Sequence, residues 1–386
     1  MIPLSEPVLQ GRELEYVSDC LRSGWVSSNG EYIARFEEAI ANYVGVKHAV
    51  ACNCGTSALH VSLLLAGVGA GDEVIVPAVT FIAPVNAVRY VGAFPVFVDC
   101  DEYCGIDGAG VRRFLEEECV EADGVTVNAK TGRRVAAVIP VHVFGTAADV
   151  GPLLTLARDH GLAVIEDASE ALGSRYRGRM CGALAPLACL SFNGNKIVTS
   201  GGGGAILTDD DDLAAEARLL TTQAKAAGIE YLHHEVGYNY RMNNVLAALG
   251  LAQMETLDER LTTKRRNFAL YEQALGPAGA ARLLGQPEWS DANRWFYAYA
   301  CDDAQAKAQL LRACIDADIQ ARPLWYPNHR QRPYVDAQAY DVRRADWYYD
   351  RLVNLPCSVT LTRDDIAQVA SVIESAHAMD QSEASA

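Results

Sequence analysis

The chain has 386 residues, half of them hydrophobic, and a formal net charge of −16. That length exceeds one small domain and suits a large domain with a smaller companion. The negative balance repels nucleic acid and anionic lipid, and no run of Lys and Arg opposes it, so an anionic substrate needs positive charge gathered inside its pocket. The opening MIPLSEPVLQGRELEYV lacks a basic segment followed by an apolar one and does not read as a signal peptide. No stretch approaches about 18 uninterrupted apolar residues, so no membrane span is expected. The eleven cysteines form an odd set with no CxxC pair. They read as free thiols in a reducing cytosol, with no metal site.

Between about residues 45 and 220, strand and helix patterns alternate. HAVACN reads as a strand and TSALHVSLLLAG as a helix stopped by glycine. DEVIVPA, FIAPVNAVRYVG and FPVFVDCD follow as strand, helix and strand. GAGVRRFLEEEC is helical, and a small hairpin is expected where AKTGR separates VTVN from RRVAAV. RRVAAVIPVHVFG is a strand, DVGPLLTLARDHG a helix, and LAVIEDAS, LACLSFN and GAILTD are three further strands. Near-continuous apolar strands separated by helices predict an α/β fold with a mainly parallel seven-stranded sheet covered on both faces. Helices are expected over residues 210–222 and 243–275, the second broken by GPAGA. This divides the chain into a large domain (1–245), a bridging helix (246–275) and a small C-terminal α+β domain (276–386). The end, DQSEASA, is expected to fray.

Ligands of open parallel sheets lie beyond the carboxyl ends of the strands. Gly55, Thr56 and Ser57 of CGTSAL open a helix, where free amides and the helix dipole favour an anion. The same residues also suit an ordinary N-cap. Phe81 follows the second strand and reads as a core aromatic or as a ring stacked on a flat ligand. Asp167 ends an apolar strand, where a carboxylate is costly unless partnered. Backbone amides could satisfy it, or it could face the cationic ring nitrogen of pyridoxal phosphate, which needs such a carboxylate to stay protonated. Lys196, alone, is an ordinary surface charge. Its frame, SFNGNKIVTSGGGGAIL, places it between Ser191 at a strand end and four glycines. A desolvated amine there is a better nucleophile. The glycines precede a strand rather than a helix, which excludes a nucleotide loop.

These segments resemble the DegT/StrS sugar-nucleotide aminotransferases, pyridoxal-phosphate enzymes of fold type I. The resemblance spans nearly the whole chain through CGTSALH, GDEVIVPAVTFIAP, VIPVHVFG, VIEDASEALGS, SFNGNK, GYNYRMNNVLAALG and LPCS, in that order. It implies Lys196 as the cofactor-carrying lysine, Asp167 at the ring nitrogen and Phe81 stacked on the ring. It implies Gly55, Thr56, Ser57 and Ser191 at the phosphate. Asn239 of NYR is implied there too, donated by a neighbouring subunit, hence a homodimer with shared active sites.

The run GGGG, together with SFNGNK and TTQAK, is similar to transaminases acting on UDP-4-keto-6-deoxy-N-acetylglucosamine. WYPNHRQRPY instead is similar to perosamine-type relatives using GDP-sugars. Glutamate is the implied amino donor. Glu170 is a candidate contact for the sugar. Arg322 and His329 are candidates for the donor carboxylate or nucleotide phosphates, since Arg binds such groups with two bonds; Tyr326 is a further substrate candidate. A sugar dehydratase on the same cofactor is a second reading, but that class replaces the lysine by histidine. A non-catalytic regulator on the same scaffold is a third.

Overall fold

The computed structural model of the chain describes residues 1–383. All seven expected strands are present: β1 His48–Cys52, β2 Glu73–Pro77, β3 Phe94–Val98, β4 Val135–Val138, β5 Ala163–Asp167, β6 Leu187–Ser191 and β7 Gly204–Thr208. An eighth, β8 (Ala339–Tyr340), joins them to give the order β1-β7-β6-β5-β4-β2-β3-β8. β7 runs antiparallel to β1 and β6, and the other pairings are parallel. The two residues of β8 pair with Phe97 and Val98. They are too few and too exposed to leave an apolar run in the sequence. β2 and β7 are buried at every position, as strands covered on both faces require.

The helices of this unit are α1 Glu13–Ser23, α2 Glu31–Val44, α3 Gly55–Leu65, α4 Ala83–Tyr90, α5 Gly108–Glu117, α6 Val150–Asp159 and α7 Asp211–Thr221. α7 starts where expected because the Asp210 carboxylate accepts from the Asp212 and Leu213 N–H groups. The hairpin forms one segment earlier than expected, with Cys119–Ala122 paired to Val125–Asn128. Asp123 and Gly124 make its turn with φ of 53° and 77°, the left-handed geometry Asp-Gly favours. AKTGR closes only a single bridge, Val127 to Arg134.

The helix expected over 243–275 is two helices, α8 Asn244–Met254 and α9 Leu257–Ala280. α8 packs against α1 and α2, whereas α9 packs against α12 (Arg363–Glu383). α9 kinks at PLACEHOLDER α10 (Ala304–Asp316) and α12 flank a small antiparallel sheet of Tyr297–Ala300, Leu352–Leu355 and Arg322–Pro323. Phe268, Tyr271, Tyr297 and Tyr299 build this second core, and Ile2 from the chain start belongs to it. α11 (Arg343–Tyr349) begins on the Asp99 carboxylate, which accepts from the Arg344 and Ala345 N–H groups. The segment expected to fray is helical through Glu383, and residues 384–386 lie outside the described residues. All eleven cysteines are free thiols. No described helix is long and apolar enough to cross a membrane.

Candidate active site

A cavity of about 390 Å³ lies beyond the carboxyl ends of β1, β2, β5 and β6, where an open parallel sheet places its ligands. Gly55, Thr56, Phe81, Asp167, Glu170, Ser191 and Lys196 all line it. Seven of the twelve residues singled out from the sequence therefore meet in one place.

Lys196 Nζ stands 3.3 Å from Glu170 Oε1 and 3.9 Å from the centre of the Trp295 ring. Both acid and amine are largely shielded, at 4% and 12% side-chain exposure. The other Glu170 oxygen accepts from the Phe144 N–H at 2.9 Å. Burial pushes the Glu170 carboxyl above its ordinary range, and the Lys196 ammonium and the Phe144 N–H only partly oppose this. Asp167 is 4% exposed and its Oδ1 accepts from the Ser169 N–H at 3.0 Å.

The residue before it, Glu166, alternates to the opposite face of β5 and is wholly buried. It accepts from His142 Nε2 at 2.8 Å, Leu184 N–H at 3.0 Å and the Gly182 N–H. The Ala148 N–H donates to His142 Nδ1, so the ring hydrogen facing Glu166 is on Nε2. Cys181 lies beside this pair. With its acceptors filled by backbone donors, Glu166 is a satisfied polar support beneath the site.

The first turn of α3 forms the anion cradle. Its N-cap is Cys54, whose sulfur accepts from the Ser57 N–H at 3.3 Å. Gly55 is required by close approach, since a Cβ there would lie 2.8 Å from Ser191 Cβ. The four glycines after Lys196 are not equivalent. Gly203 has φ of 122°, and a Cβ on Gly204 would stand 2.6 Å from the Cys54 backbone. Gly202 lines the cavity with room to spare; a Cβ there meets nothing nearer than Asn53 O at 3.9 Å. Packing against the start of α3 thus accounts for the last two glycines.

Five expected residues lie outside the cavity lining. Ser57 is buried and bonded to Asn53 Oδ1 at 2.6 Å, which makes it a brace for the turn. Asn239 is exposed, with its backbone carbonyl held by Asn53 Nδ2 at 3.3 Å. Arg322 is exposed and donates to the Ala321 carbonyl. Tyr326 packs edge-on against Tyr349, and His329 lies 3.4 Å from Asp346. Burial holds the His329 ring below its ordinary pKa, against the pull of Asp346.

In their place Trp295, Phe296 and Trp325 wall the cavity, with Phe144 stacked 5.2 Å from Trp325. Sequence reading missed this aromatic wall. The only cue was the unexplained pair of aromatics in NRWF.

The donor set fits a flat, phosphorylated, cationic ring carrying an aldehyde. Amides of α3 and Ser191 meet the phosphate, Asp167 meets the ring nitrogen, and Lys196 meets the carbonyl. Comparison with known proteins agrees. The model of the DegT/DnrJ/EryC1/StrS aminotransferase family matches residues 7–374. The GDP-perosamine synthase of Caulobacter vibrioides is 40% identical over 378 residues, covering 97% of each chain. The GDP-perosamine synthase of Vibrio cholerae is 35% identical over 384 residues, covering 97% of this chain and 98% of its own. The aminotransferase TlmJ from Streptoalloteichus hindustanus superposes with a TM-score of 0.88 at 27% identity, covering 99% of this chain and all of its own. This chain belongs to the DegT/DnrJ/EryC1/StrS family and is a pyridoxal-phosphate-dependent sugar aminotransferase.

Proposed function

We propose that the protein moves the amino group of glutamate to a GDP-linked 4-keto-6-deoxyhexose, giving GDP-perosamine or a close relative for surface polysaccharide. The observation that carries amino transfer is the meeting of Lys196, Asp167, Ser191 and the start of α3 in one cavity. The GDP-sugar rests on the relatives, whose full-length similarity outweighs the short GGGG run that pointed to a UDP-sugar. That run also has a local steric cause at Gly203 and Gly204.

Bound pyridoxal phosphate supplies a carbonyl that links to amines and a ring that draws electrons from the reacting carbon. Thr56 and Ser191, with the α3 amides, hold its phosphate. Asp167 keeps the ring nitrogen protonated; with Oδ1 held by Ser169, the other carboxylate oxygen meets that N–H. Lys196 Nζ, once free, takes the proton from the glutamate carbon and returns it on the neighbouring side. Glu170 holds the ammonium between these transfers, so the amine stays within reach. The aromatic wall excludes water and offers apolar faces to a sugar ring.

The decisive assay incubates the purified protein with glutamate and a panel of GDP-, UDP- and dTDP-linked keto-sugars, with mass detection of amino-sugar. Product from the GDP substrate alone, or fastest from it, is expected. Exclusive use of a UDP substrate overturns the GDP assignment, and no amino-sugar from any substrate overturns the proposal.

We also propose that the working unit is a symmetric dimer in which each subunit lends Asn239 to its partner's phosphate cradle. Asn239 is exposed, yet its backbone is fixed to Asn53 beside that cradle, and Tyr238 and Tyr240 on either side pack on His60. Closed two-fold symmetry satisfies both sites at once. If Asn239→Ala alone is inactive, mixing it with Lys196→Ala is expected to restore partial activity, because one site of a mixed dimer is intact. No recovery after verified subunit exchange contradicts sharing.

A further inference from the structure

Trp295 is among the least exposed side chains of the cavity wall, at 2%. Its placement is unusually well determined. Arg294, just before it, adopts the left-handed region at φ 57°, which is costly for a residue other than glycine and turns the chain sharply. Asn293 accepts from the Trp295 N–H at 2.8 Å, and its amide nitrogen donates to the Glu170 carbonyl at 2.8 Å. Behind the ring, the buried ammonium of Lys264 on α9 donates to the Trp295 carbonyl at 2.7 Å and to the Cys357 carbonyl at 2.6 Å. The indole N–H donates to the Asn195 carbonyl at 2.8 Å, and Arg260 Nη1 to the Ile197 carbonyl at 3.3 Å. Both peptide carbonyls flanking Lys196 are therefore clamped from the C-terminal half of the chain. The Lys196 ammonium itself lies over the indole face at 3.9 Å, while Glu170 takes it from the side.

We propose that Trp295 is a catalytic residue: with Glu170 it forms a seat that receives the Lys196 ammonium whenever that amine is not joined to cofactor. The indole face attracts a cation electrostatically and excludes water without forming a bond that must later be broken. Glu170 supplies the opposite charge. The freed amine then waits beside the reacting carbon instead of turning to solvent. The strained turn at Arg294 and the Lys264 anchor hold the seat rigidly on the small-domain side, where Lys196 alone could not fix it. The inference rests on Lys196 being the cofactor lysine, which borohydride reduction of the loaded parent followed by peptide mapping tests separately.

The test uses cofactor-free protein, prepared by stripping with hydroxylamine. A short pulse of acetic anhydride at fixed pH is followed by peptide mass analysis, with the exposed Lys130 as internal reference. In the parent, Lys196 is expected to label more slowly than Lys130. In Trp295→Leu its relative rate is expected to rise by about threefold to thirtyfold, the range open to a cation held over a ring. Trp295→Phe keeps a weaker face and loses the indole N–H, and is expected to give a smaller rise of about twofold or more. Lys264 is expected to stay unlabelled in both. An unchanged Lys196 rate in a folded Trp295→Leu protein overturns the proposal, as does labelling of Lys264 together with Lys196, which signals general opening of the site. Should Trp295→Leu fail to fold, an unchanged rate in Trp295→Phe overturns it equally.

Discussion

Lys196→Ala is expected to lower amino transfer by at least about a thousandfold, the scale attached to a positioned proton-transfer group that also makes a covalent link. The side chain is mostly shielded and spends its charge on Glu170. Removing it leaves Glu170 buried without its cation. That acid is already shifted upward by desolvation, so it answers the loss by taking a proton rather than by unfolding the site. The variant should therefore keep the parent's far-ultraviolet circular dichroism while turnover disappears. Residual turnover within about tenfold of the parent would show that another group does the work.

Asp167→Asn is expected to retain bound cofactor and lose about a hundredfold to a thousandfold in turnover. The amide can keep the bond from the Ser169 N–H through its oxygen, so the end of β5 keeps its shape. What it lacks is the negative charge that holds a proton on the ring nitrogen. The effect should fall on the maximal rate more than on substrate affinity, because the charge matters most as electrons move toward the ring. Cofactor content by absorbance and steady-state kinetics check this together. A loss of cofactor with no change in maximal rate per loaded site contradicts the ring-nitrogen role.

The sheet was legible because its strands are short apolar runs between glycine-stopped helices. The site residues that sequence reading placed correctly share one property: Gly55, Thr56, Phe81, Asp167, Glu170, Ser191 and Lys196 all lie just past a strand of that sheet. Topology gathers such residues regardless of detail. Trp295, Phe296 and Trp325 come from the distant C-terminal half, and no local period marks an aromatic as a wall of a cavity built mainly by other segments. Arg322, Tyr326 and His329 were chosen by residue type. Type alone does not reveal that His329 faces Asp346, or that Arg330 covers the Tyr326 ring at 5.1 Å. The break between α8 and α9 escaped notice because both halves are apolar enough to continue one pattern across Glu255 and Thr256. The hairpin was misplaced because AKTGR was weighed above the Asp123-Gly124 turn one strand earlier.

One measurement bears most directly on the chemistry: reduction of the cofactor-loaded protein with borohydride, proteolysis, and mapping of the phosphopyridoxyl label by mass spectrometry. The label is expected on the peptide containing Lys196, at close to one per chain. Lys264 is buried with its ammonium spent on two carbonyls, and Lys225 lies over the exposed Tyr231 ring, so neither should carry it. A label on Lys264 or Lys225, with Lys196 unmodified, would contradict the assignment.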